Sequence, residues 1–425
     1  MKKSLARFII IWFGQLISNI GNGMTAFALG IYVFQSSGSA IKFSFVLLCQ
    51  FLPAILFRPL GGVLADSFSR RTMIIIGDLG SALGVMFILL SLSGGELVLG
   101  KIYLGIAFSS AFVALQNPAY KAIVSDLVVP QDYARVSGLV QLSSSAQHLV
   151  SPLLAGILLA MGSLNLILYI DIASFFFAVI AVLVIGKTGK VKTATMRIWS
   201  DLWEGWKLLL EKKQVFFIVI IVSVVTFFVG IIQTLLTPML LTITSPKNVG
   251  LVQSISASGM LLSSLLIGLI SCAIEMKRVL IISMFLAGIF MSLLGLSTNL
   301  IFITVVFFLF FFTLPFINTG AEVIIRRSIV TEGQGRVWSI IGFLSQLGYL
   351  LAYLLSGWLA EKVFTPFMIA GGGFANAMRI LLGQGHGRGM GLMLILAGLT
   401  WIGLALYSRI KFSNEEIKGV ENVNL

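Results

Sequence analysis

The chain has 425 residues, of which 58% are hydrophobic and only 11% charged, and a formal net charge of +13. Water-soluble globular chains carry roughly a quarter charged residues, so this composition excludes a soluble protein and points to a polytopic membrane protein. The positive charge does not indicate nucleic acid, because the 29 Lys and Arg fall in the links between apolar runs rather than in one patch.

Twelve apolar runs of ~20 residues, each long enough to cross a bilayer as a helix, fall at about 8–34, 42–64, 73–93, 99–122, 138–161, 165–186, 215–243, 250–273, 278–297, 300–325, 338–361 and 390–410. The basic start leads into the first run with no small-residue cleavage site, so that run is expected to be a retained helix. With both termini in the cytoplasm, 23 of the 29 Lys and Arg fall on the inner side, Arg58 among them. Only Lys42, Lys101, Lys247, Lys362, Arg379 and Arg388 fall outside, and this asymmetry sets the orientation. Cys49 and Cys272 lie within runs at no spacing for a disulfide or a metal site, and neither metal nor cofactor is expected.

In chain order, the informative residues are polar ones inside apolar runs, which are costly in lipid and so face a cavity or a neighbouring helix. Run 1 carries Gln15, Ser18, Asn19 and Asn22 at steps of three and four, on one face that suits either a substrate cavity or helix–helix bonds. The short link from Gly62 to Arg71 gathers Asp66, Arg70 and Arg71 at one membrane face. Asp78, two turns beyond Arg71, is placed to pair with it near the inner surface. His148 lies in run 5 and titrates near neutrality when unperturbed. Asp171 lies some six residues inside run 6, roughly 9 Å deep at 1.5 Å per residue, with no cation near it in sequence. These two lead as candidate proton carriers, with Asp78 and Glu322 behind them.

The longest inner link divides the runs six and six. Ile198, Trp199, Leu202, Trp203, Trp206, Leu209 and Leu210 recur in it at helical spacing, which predicts an amphipathic helix lying on the interface. The expected domains are a six-helix bundle over 1–186, this linker over 187–214, and a second six-helix bundle over 215–425. Run 7 repeats the polar face with Thr226, Gly230, Gln233 and Thr237, and Glu322 in run 10 lies one turn before Arg326, placed to pair with it. The Gly-rich segment 362–389 lacks the spacing of a phosphate loop, and His386 within it has no metal partner, so it is expected to be an outer loop. The polar tail after Lys411 is expected to be disordered.

An internal repeat lies at a constant offset of 201 residues, with Asn117 over Asn318, Arg135 over Arg336 and Gly156 over Gly357. Each half thus reads as a copy of one six-helix unit. The link Gly62-Val-Leu-Ala-Asp-Ser-Phe-Ser-Arg-Arg resembles the loop between helices 2 and 3 of the major facilitator superfamily, with Ser67 and Ser69 departing from the pattern. Gly268-Leu-Ile-Ser-Cys-Ala-Ile-Glu-Met-Lys-Arg is its worn counterpart, with Cys272 in the place of Asp66. Ser151-Pro-Leu-Leu-Ala-Gly is similar to the Gly-Pro-x-x-Gly-Gly motif of that superfamily's antiporters, Pro152 and Gly156 matching. The stretch from Asn117 to Pro130 and Gly335-Arg-Val-Trp-Ser look like its bacterial drug-efflux branch, which includes macrolide exporters.

The resemblance implies an all-α integral membrane fold of twelve transmembrane helices in two pseudo-symmetric six-helix bundles, with substrate between the halves. It also implies a cavity lined by helices 1, 4, 7 and 10, which adds Gln116, Asn117 and Asn318 to the polar faces of runs 1 and 7. Asp66, Arg70 and Arg71 are expected to form part of an inner gate. The implied function is non-enzymatic export of amphiphilic compounds, macrolide-like antibiotics foremost, by proton antiport with alternating access, from a bacterial cytoplasmic membrane and as a monomer. Export of an endogenous metabolite such as a siderophore or a lipid is the rival reading. A polytopic lipid-modifying enzyme would need acidic or His clusters that the sequence lacks, and a non-transporting scaffold would leave the polar faces unexplained.

Overall fold

The computed structural model describes residues 2–93, 98–128, 132–185, 206–207, 210, 213–269, 275–328, 334–370, 382–383, 385 and 387–421. Among them there is no strand, and twelve helices are long and apolar enough to cross a membrane. They are α1 (Lys2–Ser37), α2 (Ala40–Ser67), α3 (Arg70–Ser93), α4 (Leu99–Leu127), α5 (Tyr133–Ala160), α6 (Leu164–Ile185), α7 (Lys213–Leu241), α8 (Pro246–Leu269), α9 (Met276–Leu296), α10 (Leu300–Ser328), α11 (Gln334–Leu359) and α12 (Arg388–Glu421). The chain is an all-α, multi-pass membrane protein.

Helix ends follow local chemistry. Gly38 closes α1 at φ +63°, a left-handed conformation that only Gly adopts freely, and its N–H donates to the Phe34 carbonyl at 2.7 Å. Ser39 then caps α2, accepting from the Lys42 N–H. Asn299 caps α10 in the same way, with Oδ1 accepting from the N–H groups of Ile301 and Phe302.

Packing inverts the rule for soluble proteins. Asp78 and Asp171 are 0% and 1% exposed, while Leu83, Leu90 and Leu104 are 64%, 65% and 66% exposed. In hydrocarbon an outward Leu costs nothing, whereas every polar group must find its partner inside.

The chain divides into two compact units, Met1–Met196 with Thr244–Ser254, and Arg197–Ile243 with Ile255–Leu425. The beginning of α8 thus packs with the first unit. The internal repeat is visible in the helices themselves. α4 and α10 are both 29 residues long. Their starts, and those of α5 and α11, lie 201 residues apart.

Three expectations change. The start of the expected loop 362–389 is helical: α11 continues through a π-helical turn (Ala360–Phe364) into Thr365–Ala370, and residues 371–381 lie outside the described ones. The tail past Lys411 is helical to Glu421, because Glu and Lys are good helix formers extending an existing helix. Arg58 is the last residue of the apolar span Ala40–Arg58, and α2 carries on past it for nine residues to Ser67, so Arg58 stands against a cavity described below. Finally, Asp78 is fully buried and does not pair with Arg71. The interfacial helix expected in 187–214 lies outside the described residues except at Trp206, Lys207, Leu210 and the first turn of α7, and so do His386 and Cys272.

Candidate substrate cavity and ionisable residues

All six helices α1–α6 contribute to a cavity of about 180 Å³ inside the first unit. Leu29, Val46, Val85, Ile88 and Ile106 supply apolar wall. Asn22 and Thr25 of α1, Gln50 and Arg58 of α2, Asn117 of α4, Gln147 of α5 and Asp171 of α6 supply the polar groups. Ser109 and Ser110 of α4 add hydroxyls, so apolar wall and polar groups share the lining about equally.

Asp171 reaches this wall because α1 is thin where α6 crosses it. A side chain at Gly21 would come within 2.8 Å of Asp171 Oδ1 and 2.5 Å of Ser174 Oγ. Ser174 Oγ donates to the Asp171 main-chain carbonyl at 2.7 Å and lies 3.4 Å from Oδ1. Arg58, on the same cavity, has no hydrogen bond or ion pair among the described residues. A cation at the end of a membrane span that borders a cavity is a candidate functional position. Sequence reasoning missed Arg58 by counting it with the inner-face cations, although it lies six residues inside the run assigned over 42–64. Thr25 and Gln147 were missed although each lies on a polar face, Thr25 three residues after Asn22 and Gln147 between Ser143 and Ser151, and Gln50 was missed as a single polar residue without a stripe.

Asp78 heads a closed network. Gln15 Nε2 donates to Asp78 Oδ2 at 3.2 Å, and Gln116 Nε2 donates to Asp78 Oδ1 at 2.8 Å and to Gln15 Oε1 at 3.1 Å. This ties α1, α3 and α4 together. Gln15 and Gln116, expected in the cavity, are instead buried links between helices. Arg71 cannot reach Asp78, which lies seven residues further along α3, roughly 10 Å at 1.5 Å per residue. Its Nη2 donates to the Leu183 carbonyl near the end of α6 at 3.0 Å, and Arg70 Nη1 donates to the Ala122 carbonyl of α4 at 2.8 Å. Both arginines therefore fasten α3 within its own bundle. The Asp66 side chain lies outside the described ones.

The run 1 face divides. Asn22 lines the cavity, Asn19 Nδ2 donates to Ser143 Oγ of α5 at 3.0 Å, and Ser18 is buried. In α5, His148 is exposed and absent from the cavity wall. Ser151 Oγ donates to the Ile20 carbonyl at 2.8 Å, so the Ser151–Gly156 motif packs on α1. Its other side meets the start of α8, where a side chain at Gly156 would come within 2.8 Å of the Pro246 carbonyl and one at Gly250 would collide with that of Pro152.

In the second unit the expected cavity face divides between buried and exposed residues. Thr226 Oγ1 donates to the Ser345 carbonyl of α11 at 2.6 Å, and Thr237 is buried. Gln233 is exposed and accepts from the Tyr353 hydroxyl, and Asn318 is exposed on α10. Glu322 pairs with Arg326 at 2.6 Å on the surface, as their spacing suggests.

The Major Facilitator Superfamily profile matches residues 11–244 and 218–383. The chain belongs to that superfamily. Macrolide efflux protein A of Streptococcus pyogenes is 28% identical over 371 residues, covering 84% of this chain and 90% of that relative. The staphyloferrin B transporter of Staphylococcus aureus is 24% identical over 315 residues, covering 70% of this chain and 73% of that relative. The crystal structure of the nucleoside transporter NupG superposes with a TM-score of 0.75 at 14% identity, over 97% of this chain and 99% of that one, a likeness of fold. Membership of the Major Facilitator Superfamily makes the chain a transporter rather than an enzyme.

Proposed function

We propose that this superfamily member exports amphiphilic small molecules, macrolide-like antibiotics foremost, from a bacterial cytoplasmic membrane by proton antiport, with both termini in the cytoplasm. The observation that carries this reading is Asp171, buried to 1% yet part of the wall of a cavity lined by both apolar and polar residues. Alternating access requires that proton and substrate bias one conformational equilibrium. A carboxylate whose contact with water changes between the two states binds a proton in one and gives it up in the other. Support for macrolide-like substrates comes from the Streptococcus relative's name and from the apolar wall. Asp66 with Arg70 and Arg71 serves as part of the inner gate in this scheme, by way of the two arginines that hold α3.

The test reconstitutes the wild type and Asp171→Asn in liposomes and compares erythromycin uptake driven by a proton gradient with equilibration without one. Asp171→Asn is expected to equilibrate the drug but not to accumulate it. Full gradient-driven accumulation in that variant overturns the assignment.

Arg58 favours a second reading, export of an endogenous anionic metabolite such as a carboxylate-bearing siderophore. A cation on the cavity that has no ion pair among the described residues suits a carboxylate on the substrate, and one relative is named for staphyloferrin B. Arg58→Ala separates the readings: drug transport survives it under the first, and anion transport is lost under the second.

A further inference from the structure

A second, larger cavity of about 610 Å³ lies at one end of the second unit, between the start of α9 and the end of α12, and the transport reading does not use it. Further along, the two helices are drawn together by small residues. A side chain at Gly295 would collide with the Gly391 carbonyl, and one at Gly398 would lie 2.5 Å from that of Gly288. Towards the cavity the facing residues become bulky, with Ile281, Ile282 and Phe285 on α9 and Leu406, Arg409 and Phe412 on α12. Backbones separated by such side chains cannot approach as closely, and a groove opens.

The groove is graded in polarity. Lys277, Arg278 and Arg409 stand at its mouth with a single acid, Glu275, which is already paired to Arg278 at 2.6 Å. Arg409 has no ion pair among the described residues. One to two turns deeper the walls are apolar, and Ile282, Leu286 and Leu406 are exposed at 57%, 38% and 46%. We propose that this groove binds an anionic phospholipid, its phosphate between Lys277, Arg278 and Arg409 and its acyl chains along Ile282, Leu286 and Leu406. Surplus positive charge selects a headgroup with net negative charge. The exposed apolar wall behind it has no use for a soluble phosphate, and a volume in the roughly 300–1,000 Å³ range of ligand sites admits a headgroup. In the orientation proposed above, this end meets the inner leaflet, but the site does not depend on the transported substrate.

The full-length protein is purified in detergent, offered phosphatidylglycerol or phosphatidylcholine, and the retained lipid is counted by native mass spectrometry. The wild type is expected to retain phosphatidylglycerol in preference. The triple variant Lys277→Gln, Arg278→Gln, Arg409→Gln is expected to lower that retention about a hundredfold, from roughly fivefold per cation, and to leave phosphatidylcholine unchanged. Arg7→Gln, Lys121→Gln, Arg135→Gln removes the same charge from the first unit and is expected to change nothing. Retention that survives the first triple, or falls equally in both, overturns the site. Soluble glycerophosphate is the remaining probe, and competition by it as effective as by the lipid overturns the role of the apolar wall. Should the triple variant not fold, Arg409→Gln alone, at an exposed position, is expected to show the roughly fivefold loss, and no loss there counts against the site.

Discussion

Beside its buried hydroxyls the first unit buries two carboxylates and two amides, whereas the described residues of the second bury hydroxyls and Arg388 and carry a cluster of stacked aromatic rings. Asp78 and Asp171 are enclosed by Gln15, Gln116 and Ser174 in the first. Among the described residues of the second, no Asp or Glu is buried. There Phe228 stacks on Trp401 at 5.1 Å and Phe310 meets the same indole edge-on at 5.8 Å. Two copies of one helical plan have kept the 29-residue length of α4 and α10 and parted in chemistry. The difference teaches that duplication preserves what packing needs, while titratable groups can be concentrated in one half.

The strongest way to break this comparison is Asp171→Asn. It is expected to abolish uphill transport altogether, read as the loss of gradient-driven accumulation in liposomes at unchanged protein yield. Next in size is Trp401→Ala, which empties the fully buried aromatic centre of the second unit. It is expected to cost about 3–5 kcal/mol by denaturant unfolding in micelles, while the protein that remains folded keeps its proton dependence. If proton dependence vanished there, the contrast between a titrating half and a packing half would be wrong.

Asp78→Leu sharpens the comparison within the first unit. It leaves the amides of Gln15 and Gln116 without their acceptor and is expected to cost about 1–3 kcal/mol in the same measurement. A near-zero cost would mean that the α1–α3–α4 network is not a structural tie. The smallest effect is expected from Glu322→Gln, which removes one partner of a surface pair exposed at 48% and 58%. Stability is expected to move by no more than about 0.5 kcal/mol, and transport at several pH values is expected to match the wild type. A shifted pH profile would return Glu322 to the coupling candidates.

How much was legible beforehand depends on whether the signal is periodic and local. Twelve spans, the repeat and its offset of 201 residues could be read directly, because a bilayer demands some 20 apolar residues per crossing whatever their neighbours are. The Glu322–Arg326 pair was equally local, being one helical turn. The polar stripe of run 1 was visible as a stripe, but a stripe does not say what it faces. Only packing sent Gln15 to Asp78, Asn19 to Ser143 and Asn22 to the cavity.

Composition and periodicity thus determined that this chain is a membrane-spanning helical protein in two related halves, since both follow from solvent and from spacing along the chain. Tertiary structure alone decided which carboxylate touches a cavity and which is locked among amides. It also set Arg58 against a cavity wall and brought Gly21 against Asp171 across two helices 150 residues apart in sequence. The reason is geometric: a side chain's partner in a helical bundle is set by the rotation and approach of neighbouring helices, and small residues far away in sequence fix that approach.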